Sequence, residues 1–342
     1  MKFGPRPVEA AEGAILAHSL RLAGRRLAKG TPLGPGEIAL LRAHGIETVT
    51  VASLEPDDVG EDEAARRLAA ALVPDPAAAG LRLTRPHAGR VNLVAERAGI
   101  VALDAPALHA LNRVDPAITL ATLAEHARVA PGTMVGTVKI ISYAVPAARL
   151  VEAMERGRAA IRVRPVVRRS AALIVTRIPD DDPKLAAKGR EAVRGRLAAL
   201  GITLSETIET AHEIADLAAA LAAPEEDLIL ILTAAATSDL HDTAPEALRR
   251  AGGHVARFGM PVDPGNLLFH GSLRGRPVIG LPSCARSPAL NGADWVLERI
   301  ACGLEVSDEA IAAMGVGGLL KEIPSRPQPR DRGRTAPGRD GA

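Results

Sequence analysis

The sequence predicts an α/β protein whose C-terminal half builds a doubly wound, mostly parallel sheet, and three observations carry that expectation. Over residues 171–303 short apolar runs alternate with helical patterns, the rhythm of β-α-β units stacked into a parallel sheet. One of those runs, DLILILT at 227–233, is almost continuously apolar, as a strand covered on both faces must be. The segments after Thr176, Thr233 and Leu281 are rich in small and hydroxyl residues, and in an open parallel sheet ligands bind beyond the carboxyl ends of the strands.

The length of 342 residues suits two domains better than one. Residues 1–165 are expected to form a mixed α+β region, 166–322 the α/β domain, and 323–342 a disordered tail. In the first region, Gly-Pro punctuation at 34–36 precedes a short helical pattern through Ile38, Leu41 and Arg42. Gly45 closes it in the left-handed conformation that suits a residue just past a helix end, and Ile46 to Val51 alternates as a strand. EDEAARRLAAAL at 61–72 reads as a helix and 73–80 as a loop. A strand is expected at 100–103, a helix at 120–128, and a strand interrupted by Gly136 within 132–145.

In the second region AALIVT (171–176) reads as a buried strand and 184–201 as a helix with Val193, Leu197 and Leu200 on one face. A helix over 213–223 leads into the strand 227–233. The next helix is expected to start at Thr243, with Glu246 completing a capping box and Pro245 in the first turn. RPVIGLP (276–282) reads as a strand, and Ser287-Pro288 as the cap and first residue of a helix ending at Gly303. The tail after Ser325 has only Ala as an apolar residue and lacks the means to fold alone.

Composition excludes several classes. One Trp, one Tyr and three Phe are too few for the stacking platforms that single-stranded nucleic acid needs. A net charge of +2 and a pI of 8.7 are too mild to point to nucleic acid or an anionic membrane. Two cysteines, Cys284 and Cys302, make neither a disulfide framework nor a four-Cys zinc site and suit a reducing compartment. The N-terminus lacks an apolar signal core and no run approaches a membrane-spanning length, so a cytoplasmic protein is expected. The nine His show no zinc-type spacing. There is no GxGxxG, Walker loop or GxSxG elbow, which removes the common dinucleotide, triphosphate and hydrolase readings.

What is left is the turns. After Thr233 the chain reads TAAATSDLHDTAPEA: small residues, the hydroxyls of Thr237 and Ser238, and two carboxylates, Asp239 and Asp242, before a helix N-terminus. Free N–H groups and the positive end of the helix dipole favour phosphate there. Asp239 and Asp242 would be oxygen ligands for magnesium or acceptors for ring and amino N–H groups. A plain N-terminal cap is an equally good account of Asp242. The turn GLPSCARSPALNG offers Ser283, Arg286 and Ser287 to an anion, and PVDPGNLLFHG brings backbone at Pro264-Gly265 to the same sheet edge. Cys284 sits at a helix N-terminus with no His nearby in sequence, which favours packing over nucleophilic chemistry. His241 and His270 are candidates for ligand contact rather than for metal.

These turns, in this order, resemble the molybdopterin-binding domain shared by molybdopterin adenylyltransferases and molybdopterin molybdotransferases. The resemblance spans about 171–303. Thr233 opens the family's first motif, Asp242 takes the place of its Asp, Pro264-Gly265-Asn266 that of its Pro-Gly-Lys loop, and Leu281-Pro282-Ser283 that of its Leu-Pro-Gly turn. Residues 28–52 are similar to the segment that precedes this domain in molybdotransferases. FGMPVDPGNLL, GLPSCARSPALNGADWVLERI and MGVGGLLKEIPSRPQPR look like a bacterial subgroup often fused to a nucleotidyltransferase that makes the cytosine dinucleotide cofactor. The resemblance implies binding of molybdopterin or its adenylated form by Thr233, Thr237, Ser238, Glu213, Pro264, Gly265, Asn266, Pro282, Ser283, Arg286 and Ser287. It implies catalytic and magnesium-binding roles for Asp242 and Asp239, and a nucleotidyltransferase or molybdoenzyme maturation factor as a separate partner. Nucleic-acid and membrane partners are not expected, and a homo-oligomer is left open.

The chain departs from the family in two places. Ala234-Ala235-Ala236 stands where the transferases have Gly-Gly, which restricts positive φ and close backbone approach. Asn266 stands where they have Lys, which removes a charge that would face phosphate or molybdate. These departures favour a binding module that hands its ligand on, while Asp242 keeps open an active magnesium-dependent molybdotransferase. A scaffold with a vestigial pocket is a third reading.

Overall fold

The computed structural model describes residues 1–320 apart from Ala23, Asp180, Asp181 and Pro264. The chain divides into two compact units, Met1–Pro165 and Val166–Ala342. The expected disordered tail lies outside the described residues.

In the first unit, Thr48–Ser53 is the central strand of a small antiparallel sheet, flanked by Lys2–Pro7 and Ile15–Leu16. Helix α1 (Pro35–Ala43) precedes it and closes at Gly45, whose φ of 67° is the left-handed value expected. Helix α2 (Glu61–Leu72) buries Ala64, Ala65, Leu68 and Leu72. It packs with helices α3 (Ala105–Asn112) and α4 (Ala147–Arg156) and with a four-stranded antiparallel sheet into one apolar core. That sheet is formed by β1 (Leu81–Leu83), β2 (Arg90–Ala95), β3 (Ile118–Thr122) and β4 (Met134–Ile140), in the order β3-β4-β2-β1. Val91, Leu93, Val138 and Ile140 enter the core. The alternate residues Arg90, Asn92, Thr137 and Lys139 therefore face away from it.

Two expectations are corrected here. Residues 120–128 are not a helix: Ile118 and Leu120 alternate inward on β3, and the Asn112 side chain clamps Leu120, accepting from its N–H and donating to its C=O, each at 2.9 Å. Residues 76–79, within an expected loop, form a short helix capped by Asp75. The interruption at Gly136 is a β-bulge between Met134 and Gly136, where a Cβ would come within 3.0 Å of the Ala121 carbonyl oxygen.

The second unit is built on a six-stranded sheet of β5 (Ser170–Arg177), β6 (Thr203–Ala211), β7 (Leu228–Leu232), β8 (His254–Met260), β9 (Asn266–Leu273) and β10 (Arg276–Leu281). Their order is β6-β5-β7-β10-β9-β8. Helices α5 (Pro183–Ala199) and α8 (Gly292–Ala301) pack Val193, Leu197, Val296 and Leu297 against Leu173, Val175, Leu230 and Leu232. Helices α6 (Ile214–Ala220) and α7 (Thr243–Arg250) pack Leu217 and Leu248 against Ile174, Ile229 and Ile231, the alternate residues of the same strands. Helix α9 (Asp308–Ala313) contributes Ile311 to the first of these cores.

The expectation of a mostly parallel sheet holds for three of the five pairings in this sheet. β6-β5, β5-β7 and β7-β10 are parallel, whereas β10-β9 and β9-β8 are antiparallel, and across the chain antiparallel pairings predominate. The cause lies in the connection: Arg274 and Gly275, with φ of 51° and 74°, form a two-residue turn, and such a turn joins only antiparallel neighbours. Among the described residues no helix is long and apolar enough to cross a membrane.

Helix α7 starts at Thr243 as expected and Asp242 is its cap, but the capping box expected of Thr243 and Glu246 does not form, and Glu246 pairs with Arg249 at 3.0 Å. Helix α8 begins at Gly292, because Asn291 and Asp294 form the capping box and Ser287 ends a 3-10 turn over Ser283–Arg286.

Candidate ligand site at the strand ends

The parallel strands β5, β7 and β10 end level with one another, with Val175 beside Leu232 and Leu232 beside Leu281. The loops leaving these strands are therefore gathered on one edge of the sheet. Thr176, almost wholly buried, ties two of these ends together. Its Oγ1 accepts from the Ala234 N–H at 2.8 Å and lies 2.9 Å from His212 Nδ1. His212 comes just after β6, and its own N–H donates to the Arg177 carbonyl.

From Thr233 the loop turns so that Thr237 is buried and Ser238 to His241 are exposed. Asp242 holds both ends of this loop. Its Oδ2 accepts from the Ser238 N–H at 2.7 Å and its Oδ1 from the Thr243 N–H at 2.6 Å. Burial pushes the carboxyl upward, but the Ser238 and Thr243 N–H groups and the His212 charge outweigh it, so the net shift is downward. Each oxygen keeps lone-pair capacity beyond these bonds. Asp239 is exposed, with Oδ1 accepting from the His241 N–H at 2.8 Å and its carbonyl from the Asp242 N–H at 3.2 Å.

The turn after β10 closes the other side. Arg286 donates through Nη2 to the Thr233 carbonyl, bridging the ends of β10 and β7. Gly189 of α5 permits this approach, since a Cβ there would come within 2.5 Å of Leu232 Cδ2 and 3.4 Å of Arg286 Cγ. The turn itself is held from below by Arg196, which donates to the carbonyls of Ala285 and Ser287 at 2.7 Å and of Ala289 at 3.1 Å.

Thr233, Ser238, Asp242 and Arg286 are thus brought together, with Thr237 buried in the loop between them. Pro282 and the exposed Ser283 and Ser287 lie along the adjoining turn. Glu213 is exposed at the start of α6 and makes no capping bond with its side chain. Gly265, with a φ of 94°, and the buried Asn266 begin β9, at the same edge but two strands from β7. Asn266 Oδ1 accepts from the Leu268 N–H at 3.2 Å, and its Nδ2 has no hydrogen-bond partner among the described residues. Pro264 lies outside the described residues. His241 is exposed, and His270 is buried further along β9.

Thr176 and His212 are the members that sequence reasoning did not place in the site. The signal for Thr176 is that AALIVT ends in Thr as LILILT does; His212 carries no comparable mark. No group of three or more His, Cys, Asp or Glu side chains among the described residues is arranged to hold a metal. Magnesium held by one or two carboxylates and completed by ligand phosphate is a different arrangement, for which Asp242 and Asp239 are the available donors.

Residues 5–53 match the family model described as Domain of unknown function (DUF8806), which spans α1 and the small N-terminal sheet. No curated protein matches the chain. Among solved structures, the chain is similar to the crystal structure of a molybdopterin biosynthesis protein from Mycobacterium abscessus. Identity is 15% and the TM-score 0.26, over 40% of this chain and 93% of that one. It is also similar to a molybdenum cofactor biosynthesis protein from Pyrococcus furiosus, at 11% identity and a TM-score of 0.22, over 88% of this chain and 61% of the other. Likenesses this distant leave function to be argued from the site.

Proposed function

We propose that the protein binds molybdopterin, or its adenylated form, at the strand ends and hands it on within molybdenum cofactor biosynthesis. One observation supports this reading beyond the resemblance of the turns: Asp242, at a helix N-terminus, shares one sheet edge with Thr176, His212, Ser238 and Arg286, where four parallel-paired strands end. On this reading ligand phosphate lies against the N-terminus of α7 and the hydroxyls of Thr237 and Ser238. The Asp242 carboxylate accepts pterin N–H groups or shares magnesium with Asp239 and the phosphate.

Binding without turnover is favoured by Ala234 to Ala236, which keep Cβ atoms where a phosphate would press on the backbone. The recipient is then a separate nucleotidyltransferase or molybdoenzyme maturation factor, as the resemblance to the fused subgroup suggests. A magnesium-dependent molybdotransferase is the second reading, and the observation that favours it is that Asp239 and Asp242 stand in one loop, the Asp242 N–H donating to the Asp239 carbonyl, at the N-terminus of α7. Incubation with adenylated molybdopterin, magnesium and molybdate separates the two. A handover protein binds the nucleotide and releases no AMP, whereas AMP release abolished by Asp242→Ala establishes the transferase.

A further inference from the structure

The outer face of the sheet β3-β4-β2-β1 carries a cationic cleft of about 380 Å³, lined by Thr84, Arg85, His87, Arg90, Asn92 and Lys139 among others. Its residues come from three adjacent strand segments. Ala88 and Gly89, with φ of 48° and 68°, form a two-residue turn, and His87 and Arg90 exchange backbone hydrogen bonds at 3.1 and 3.0 Å across it. Arg90 in turn stands directly opposite Lys139 on β4. In an antiparallel pairing, residues in direct opposition project to the same face, so His87, Arg90 and Lys139 form a row across the sheet. The turn is fixed in place by the Gly89 N–H, which donates to Asp62 Oδ1 at 2.6 Å.

Like charges directly opposite on neighbouring strands destabilise a sheet, and the protein's own compensation is partial. Lys139 is 3.6 Å from Glu61 and donates to the Ala88 carbonyl. Among the described residues the Arg90 side chain reaches only the Thr137 hydroxyl, at 3.3 Å. Among the described residues no carboxylate lies within ion-pair distance of Arg85, His87 or Arg90. Thr84 and Asn92 add neutral polar groups to the walls, and the volume falls in the range of small-molecule sites.

We propose that this cleft is a second binding site, separate from the strand ends, for a small molecule bearing a phosphate or pyrophosphate group. Arg90 and Arg85 supply planar forks that match phosphate oxygens, and Lys139 supplies a point charge between strands. The bound anion screens Arg90 from Lys139, so occupancy stabilises the sheet as well as the ligand.

Titration of the full-length protein with inorganic pyrophosphate at low ionic strength, read by calorimetry, tests this. Saturable binding is expected, weakened roughly tenfold or more by Arg90→Gln and again by Lys139→Gln, as for loss of a charge-assisted hydrogen bond. Arg113→Gln, which removes the same charge from a different surface cleft, is expected to leave the affinity unchanged. Arg90 and Arg113 are exposed and Lys139 is half-buried, and because Arg90→Gln relieves the repulsion across the sheet, the free Arg90→Gln variant is expected to melt no lower than the parent. Absence of saturable binding at millimolar pyrophosphate, affinity that survives in the Arg90→Gln, Lys139→Gln double variant, or equal weakening by Arg113→Gln overturns the proposal.

Discussion

Arg196 Nε donates to Asp294 Oδ1 at 2.6 Å, with both side chains more than nine-tenths buried. The same guanidinium donates to the carbonyls of Ala285, Ser287 and Ala289, and Asp294 Oδ2 accepts from the N–H of Asn291. One ion pair therefore joins α5, the turn after β10 and the start of α8. Removing one partner of a buried pair leaves the other charge uncompensated, at a cost of about 3–5 kcal/mol. Arg196→Ala is expected to lower the denaturation midpoint of the second unit accordingly. Arg196→Lys is expected to recover little of it, because an ammonium has no planar fork to span the turn. Urea denaturation followed by circular dichroism reads both.

Asp242 has two roles that substitution separates. Asp242→Ala removes the cap of α7 and is expected to cost about 1 kcal/mol. Asp242→Asn keeps a good cap but loses the charge, so near neutral pH it is expected to be more stable than Asp242→Ala and less stable than the parent. Folding lowers the pKa of this carboxyl. Its charge therefore contributes stability that is present above the unfolded value, near pH 4, and lost as pH falls through the lower folded value. The parent and Asp242→Asn are expected to converge in stability at the acid end of that window, which acid titrations of the melting temperature check.

His270 is buried, its Nε2 has no hydrogen-bond partner among the described residues, and burial together with Arg257 and His254 depresses its pKa despite the opposing Asp308 charge. The unfolded chain then binds the proton more readily than the folded one. The contribution is fully present above the unfolded value near pH 6.5 and is lost as pH falls toward the folded value. A decline in melting temperature as pH falls below about 6.5 is expected, and His270→Leu is expected to flatten it.

Gly189 is the glycine on which the closeness of α5 to the end of β7 depends. Gly189→Ala is expected to cost about 1–3 kcal/mol by overpacking against Leu232. It is also expected to displace Arg286 from the Thr233 carbonyl, weakening ligand binding more than the stability loss alone explains. Calorimetric binding measured well below the melting temperature distinguishes the two effects.

The parts of the fold legible in the sequence are those where one residue pattern has one physical meaning. Leu228–Leu232 is buried at every position, and an unbroken apolar run announces that. β6, at the sheet edge, alternates exposed and half-buried residues through TLSETIETA, and its two glutamates conceal a strand. The antiparallel pairings of β9 escaped because Arg274-Gly275 is a weaker hairpin signal than Asn-Gly. Asp242 is legible from its place between a strand and a helix. Thr176 is marked only by its place at the end of AALIVT and His212 by nothing, since it is the pairing of β5 with β6 and β7 that brings residues so far apart in sequence to one edge. Arg196 lies one position before Leu197 in a helix that otherwise reads as amphipathic, and nothing local shows that its charge turns inward.

The most direct test of the central claim is equilibrium binding of molybdopterin to the full-length protein, followed by pterin fluorescence, with Asp242→Asn as the comparison. A site built around the Asp242 carboxylate binds saturably in the parent and is weakened roughly tenfold or more in the Asn variant, whose helix cap is kept. Equal affinity in the two proteins, or no saturable binding in the parent, would contradict the assignment and leave Asp242 a helix cap.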